Sequence, residues 1–110
     1  MDINKDIIDV QDALKRIGGN MNLYKMLLNQ FSGGDHIDPL EEALSTGAFE
    51  EASRLVHTLK GVAANLSLVK LSETAKELEE KIKDELDHSK AFAELKHAYY
   101  ETSQQISEIS

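Results

Sequence analysis

Apolar residues return every three or four positions in four separate stretches of this chain. They fall at Leu23, Tyr24, Leu27, Leu28 and Phe31; at Phe49, Ala52, Val56, Leu59, Ala63 and Leu66; at Leu68, Leu71, Ala75, Leu78 and Ile82; and at Phe92, Leu95, Tyr99, Ile106 and Ile109, with Thr102 in register. That spacing puts each set on one face of a helix. No stretch alternates as a half-buried strand would. Each helix has one face to bury, and short turns force neighbours to run in opposite directions. The expected fold is all-α: an antiparallel up-and-down four-helix bundle with a short additional N-terminal helix. At 110 residues, one domain spanning 1–110 is expected, with a core burying about 60–70% of the unfolded surface.

Punctuation residues divide the stretches. Residues 1–8 read as a lead-in whose Ile7 and Ile8 can pack on the bundle. Asp9 is placed to cap a short helix that Gly18-Gly19 stops. Asn20 or Asn22 can cap the second helix, and Gly33-Gly34 ends it. That glycine pair lacks the G-x-x-x-x-G-K-[ST] pattern of a phosphate loop and reads as a helix stop. Asp38-Pro39-Leu40-Glu41 predicts a helix start, with Asp38 capping, Pro39 in the first turn and Glu41 completing a capping box. Gly47 breaks that helix near Thr46. The next runs over about Ala48 to Asn65, and Ser67 and Asp87-His88-Ser89 open the last two turns.

Within the helix at 48–65, His57 lies off the apolar stripe. At about 100° per residue it sits roughly 130° from the stripe's centre, toward solvent. Gly61 stands one turn further on the same side, where glycine costs roughly 1 kcal/mol against alanine. Helical side chains lean toward the N-terminus, so a side chain at 61 would lie over the His57 ring, and glycine leaves the ring open. Lys60 leans toward the same ring and adds a positive charge. An accessible imidazole beside a cation, with room for a large object, suits a phosphoryl group carried by another protein.

The run His57-Thr-Leu-Lys60-Gly61-Val-Ala-Ala-Asn-Leu resembles the H-x-L-K-G segment of histidine-containing phosphotransfer (HPt) domains. The stretch from Asp9 to Phe31 is similar to the N-terminal helices of HPt domains attached to hybrid sensor histidine kinases, and Gly47-Ala-Phe49-Glu-Glu-Ala to the approach to the histidine helix. The resemblance covers most of residues 7–83. One departure is Ser67, where the family usually has glycine. The resemblance implies a phosphorelay intermediate: His57 accepts a phosphoryl group, through Nε2, from a receiver-domain phosphoaspartate and passes it to another receiver. Lys60 would stabilise phosphoryl charge, and Gly61 would keep access open for the partner. It implies response-regulator receiver domains and a hybrid sensor kinase as partners, a cytoplasmic setting and a monomeric carrier. It implies no kinase activity toward ATP and no cofactor of its own, the magnesium ion being on the receiver. Docking is expected on apolar residues of the second and third helices near His57.

Two other readings compete with this one. Glu85-x-x-His88 and Glu94-x-x-His97 have the spacing of di-iron ligands in helical bundles. His97, however, lies roughly 160–200° from the stripe formed by residues 92, 95 and 99, and Glu85 and His88 fall beside a turn. A helical adaptor without chemistry would explain the stripes but not the glycine beside an exposed histidine. His36 is expected to be solvated in its loop, and Arg54 to be a solvated charge. Lys70 and Lys76 could face the His57 groove. With no cysteine, disulfides and thiolate metal sites are excluded. A net charge of −8 argues against nucleic acid or an anionic membrane as partner. No apolar run approaches the roughly 18 residues of a membrane span, and the first residues do not read as a secretory leader.

Overall fold

The computed structural model describes residues 4–109; the first three residues of the expected lead-in lie outside them. Among the described residues there are six helices and no strand: α1 Val10–Arg16, α2 Met21–Ser32, α3 Asp38–Ser45, α4 Phe49–Asn65, α5 Val69–Lys83 and α6 Ser89–Ile109. The chain is all-α, and α3 is a second short helix in addition to α1. Helix α4 packs against α3 and α5, α5 against α6, α6 against α2, and α2 against α1. The body measures 41 × 21 × 21 Å, the proportions of long helices lying side by side. No helix among the described residues is long and apolar enough to cross a membrane.

The caps follow local chemistry. The Asp9 carboxylate accepts from Asp12 N at 3.1 Å, and Asn20 Oδ1 from Leu23 N at 3.0 Å. Helix α3 corrects an expectation. Asp38 is already helical and makes no cap; Asp35 Oδ1 accepts from Ile37 N at 3.3 Å and Asp38 N at 3.1 Å instead. An Asx turn three residues upstream thus supplies what a capping box would have supplied.

Four helices end in the same way. At α1, α3, α4 and α5 the third residue past the helix bonds back to the carbonyl five residues before it: Gly19 N to Leu14 O at 2.7 Å, Ala48 N to Ala43 O at 2.9 Å, Leu68 N to Ala63 O at 2.8 Å, Leu86 N to Lys81 O at 2.9 Å. Each closure needs one residue at positive φ. At α1 and α3 it is a glycine, Gly18 (φ 71°) and Gly47 (φ 76°), but at α4 and α5 it is Ser67 and Glu85, both at φ 57°. The departure from the family's glycine at 67 therefore leaves the turn intact. Ser67 is buried; its hydroxyl donates to Asp12 Oδ2 at 2.7 Å, and its carbonyl accepts from Asp9 N at 3.0 Å. Those bonds tie α1 to the α4–α5 turn and offset the strain of a left-handed serine.

The core comes from the expected stripes, with two shifts. All five apolar residues expected from α5 and its lead-in, Leu68 to Ile82, are buried, as are Ala52, Val56, Leu59, Ala63 and Leu66. Phe49 is not: it is 49% exposed at the first position of α4. In α6, Ala91 and Ala98 are buried while Phe92 and Tyr99 are only partly so, so small residues let that helix approach its neighbours closely. Ile7 and Ile8 of the lead-in are buried, as expected. Tyr24 donates its hydroxyl to Leu66 O at 2.7 Å inside the core, joining α2 to the end of α4, and burial pushes its pKa up to about 12.

Candidate functional site

Helix α4 holds His57 on its outer face, between the buried Val56 and Leu59, which fix the helix's rotation. Its side chain is 69% exposed. Gly61 is exposed one turn on, and a Cβ built there would meet nothing within 4 Å. The surface at Gly61 is open.

The residue that organises the site is Glu79, on α5. Its Oε2 lies 2.7 Å from His57 Nδ1, and its Oε1 accepts from Lys60 Nζ at 2.6 Å. The carboxylate is 19% exposed, against 31% for Lys60. Burial raises the Glu79 pKa, but the hydrogen bonds from Lys60 and His57, with their charges, outweigh it, and the net shift is downward. An ionised carboxylate only accepts hydrogen bonds. The proton of a neutral His57 ring therefore sits on Nδ1, which donates to Glu79, and the lone pair sits on Nε2.

Sequence reasoning missed Glu79. It sits between the buried Leu78 and Ile82, at the edge of the α5 stripe, but Glu73, Glu77 and Glu80 share the helix. Only the mutual rotation of α4 and α5 selects among them. A carboxylate flanking the stripe, facing a histidine and lysine three apart on the preceding helix, was the available signal.

The shallow recess around His57 is lined also by Ser53, Lys76 and Lys83. Lys76 thus faces the histidine, whereas Lys70 lies in the α5–α6 groove with Glu73 and His97. Arg54 pairs with Glu51 on the exposed face of α4. His36 corrects its expectation: it is half-buried, stacked on Phe31 at 4.4 Å, with Nε2 2.9 Å from Phe31 O. The ring closes the α2–α3 loop onto α2 rather than standing in solvent. His97 lies on the outer face of α6, 3.4 Å from Glu101 rather than paired with Glu94, and His88 packs edge-on to Phe49. Among the described residues no three His, Cys, Asp or Glu stand together as metal ligands would.

Comparison with protein families decides the kinship: the model of the Hpt domain matches residues 30–105. The chain belongs to the Hpt family. No curated protein and no solved structure gives a significant match. Hpt domains are the phosphoryl carriers of two-component phosphorelays and work with receiver domains. The matched region includes α3 through most of α6 and begins inside α2. Residues before it pack into the same core: Ile8, Tyr24 and Leu28 are among its most deeply buried side chains.

Proposed function

We propose that His57 is the phosphoacceptor of this Hpt domain, taking a phosphoryl group from a receiver-domain phosphoaspartate and giving it to a second receiver. The observation that carries this reading is the Glu79 carboxylate, which holds both His57 Nδ1 and Lys60 while the ring stays open to solvent. With Nδ1–H held, the Nε2 lone pair attacks phosphorus in line. An N–P bond forms, the acyl O–P bond breaks, and the receiver's aspartate leaves as carboxylate. The reverse exchange loads the second receiver. Such transfers depend on positioning and charge stabilisation. Lys60 supplies charge from α4, and Lys76 and Lys83 stand on the α5 side of the recess. Gly61 leaves the approach open. The magnesium ion that assists is the receiver's, and the carrier has no cofactor of its own.

In this reading residues 1–110 act as one monomeric domain, an antiparallel four-helix bundle of α2, α4, α5 and α6 with α1 and α3 as additions. Its partners are response-regulator receivers and a hybrid sensor kinase in the cytoplasm. It has no kinase activity of its own.

The test is labelling by a phosphorylated receiver. An acid-labile, base-stable adduct should form, His57→Gln should abolish it, and substitutions at His36, His88 and His97 should not. With ATP and magnesium but no partner, no label should appear. Labelling that survives loss of His57 refutes the assignment.

A further inference from the structure

A second recess, of about 540 Å³, opens where the first turn of α4 meets the α5–α6 turn. Its wall is apolar, made by Phe49, Leu86 and Ile82. Single exposed apolar residues need no explanation, but Phe49 and Leu86, 49% and 52% exposed, face one concavity. Leu86 stands at the same position of its helix-end motif as Leu68 does after α4. Such a residue ordinarily packs back on its own helix. Leu68 is fully buried, while Leu86 is 52% exposed.

This recess is continuous with the phosphoacceptor site. Ser53 and Lys83 line both. Phe49 precedes His57 by eight residues, about 12 Å along the helix. A partner covering the roughly 800 Å² of a standard interface extends that far. The apolar hollow on the other flank of α4, beside Leu27 and Val62, shares no residue with the His57 recess.

The charge pattern states what should fill it. Lys60, Lys76 and Lys83 line the His57 recess together with Glu79 and Glu80, whereas Glu50, Glu85 and Asp87 rim the second recess, with Lys83 on the edge the two share. Lysines outnumber carboxylates where a phosphoaspartate must come, and carboxylates outnumber lysines at the far end. We infer that the recess seats an apolar side chain, flanked by lysine or arginine, of the receiver docked over His57. It thereby selects among receivers. This inference rests on His57 being the phosphoacceptor.

The experiment uses the full chain and the purified receiver that labels it best among a panel of phosphorylated receivers. Leu86→Glu, with Leu86→Ser as a milder partner, and Glu85→Lys should each raise the KM for that receiver about tenfold. The rate at saturation should hold within twofold. Labelling of His57 by phosphoramidate, which needs no docking, should match the parent, and circular dichroism should show the parent helicity. Parent KM in folded Leu86 variants overturns the proposal while leaving the phosphoacceptor intact. So does a tenfold rise confined to Val62→Glu, which would put the receiver on the other flank. So does a parent that is dimeric in sedimentation and becomes monomeric in Leu86→Glu without change in transfer, since the recess then serves a second copy. Failure of every receiver and of phosphoramidate to label His57 overturns this inference together with the reading beneath it.

Discussion

Replacing Gly61 separates what the fold needs from what the partner needs. The position lies inside α4, and a Cβ there would touch nothing within 4 Å. No packing is gained or lost, so helix propensity alone decides the change. Glycine is about 0.8–1.0 kcal/mol worse than alanine in a helix interior, so Gly61→Ala should stabilise the domain by about that much. For a domain of this size the melting temperature should rise by about 4 °C. Gly61→Leu and Gly61→Arg should also fold at least as stably as the parent. Their side chains lean toward the N-terminus, over the His57 ring. Transfer from a receiver should therefore slow progressively from Ala to Leu to Arg, in opposition to the melting temperatures. The assay pairs a thermal melt with a single-turnover transfer rate for each variant. A Leu variant that unfolds would show the glycine to be a packing requirement. One that folds and transfers at the parent rate would show that no receiver approaches over this turn.

The remaining predictions address the groups that hold the site. The Glu79 pKa is lowered in the folded chain, so its contribution to stability is full above the unfolded value near 4.5 and is lost as pH falls through the folded value. Denaturant melts from pH 7 down to 3 should show Glu79→Gln losing less stability than the parent, while its transfer rate at pH 7 drops about tenfold or more because Nδ1 loses its charged acceptor; equal pH slopes would contradict the carboxylate's role. At Ser67 (φ 57°), both Gly and Ala delete the hydroxyl, but only Gly relieves the left-handed backbone. Ser67→Gly should therefore be about 1 kcal/mol more stable than Ser67→Ala in urea melts. Thr102 is fully buried on α6, and its hydroxyl has no partner among the described residues. Thr102→Val keeps the shape and should stabilise by about 1 kcal/mol; a loss of stability would show that the hydroxyl is bonded.

The helices were legible because burial repeats with the helical period, and the bounds of α1 and α2 because aspartate, asparagine and glycine act locally, whereas α4 and α5 close on Ser67 and Glu85 in a backbone conformation those residue types do not announce. His57, Lys60 and Gly61 could be placed on one surface by phase alone. Features that depend on two elements at once were not legible. Glu79 becomes a site residue only when α5 is rotated against α4. Asp12 becomes the partner of Ser67 only when α1 reaches a turn 55 residues away. His36 leaves solvent because a loop folds its ring onto Phe31. Phe49 fits the α4 stripe by spacing, but it stands at the helix's first residue, beside an open recess at the α5–α6 turn, and stays 49% exposed. In α6 the periodicity is right but weighted toward large residues, and the packing favours Ala91 and Ala98, which a hydrophobicity pattern underrates.

The grip of Glu79 on Lys60 moves a cost from one process to another. A free lysine side chain carries about 2 kcal/mol of rotamer entropy, and any cation recruited to a phosphoryl group must give up part of it on arrival. Here the ammonium is already held 2.6 Å from a half-sheltered carboxylate, and that bond occupies one of its three N–H donors. In the transfer proposed for His57, two donors remain for the phosphoryl oxygens. Under that proposal the ordering of the lysine falls on folding, which happens once, rather than on transfer, which happens at every turnover.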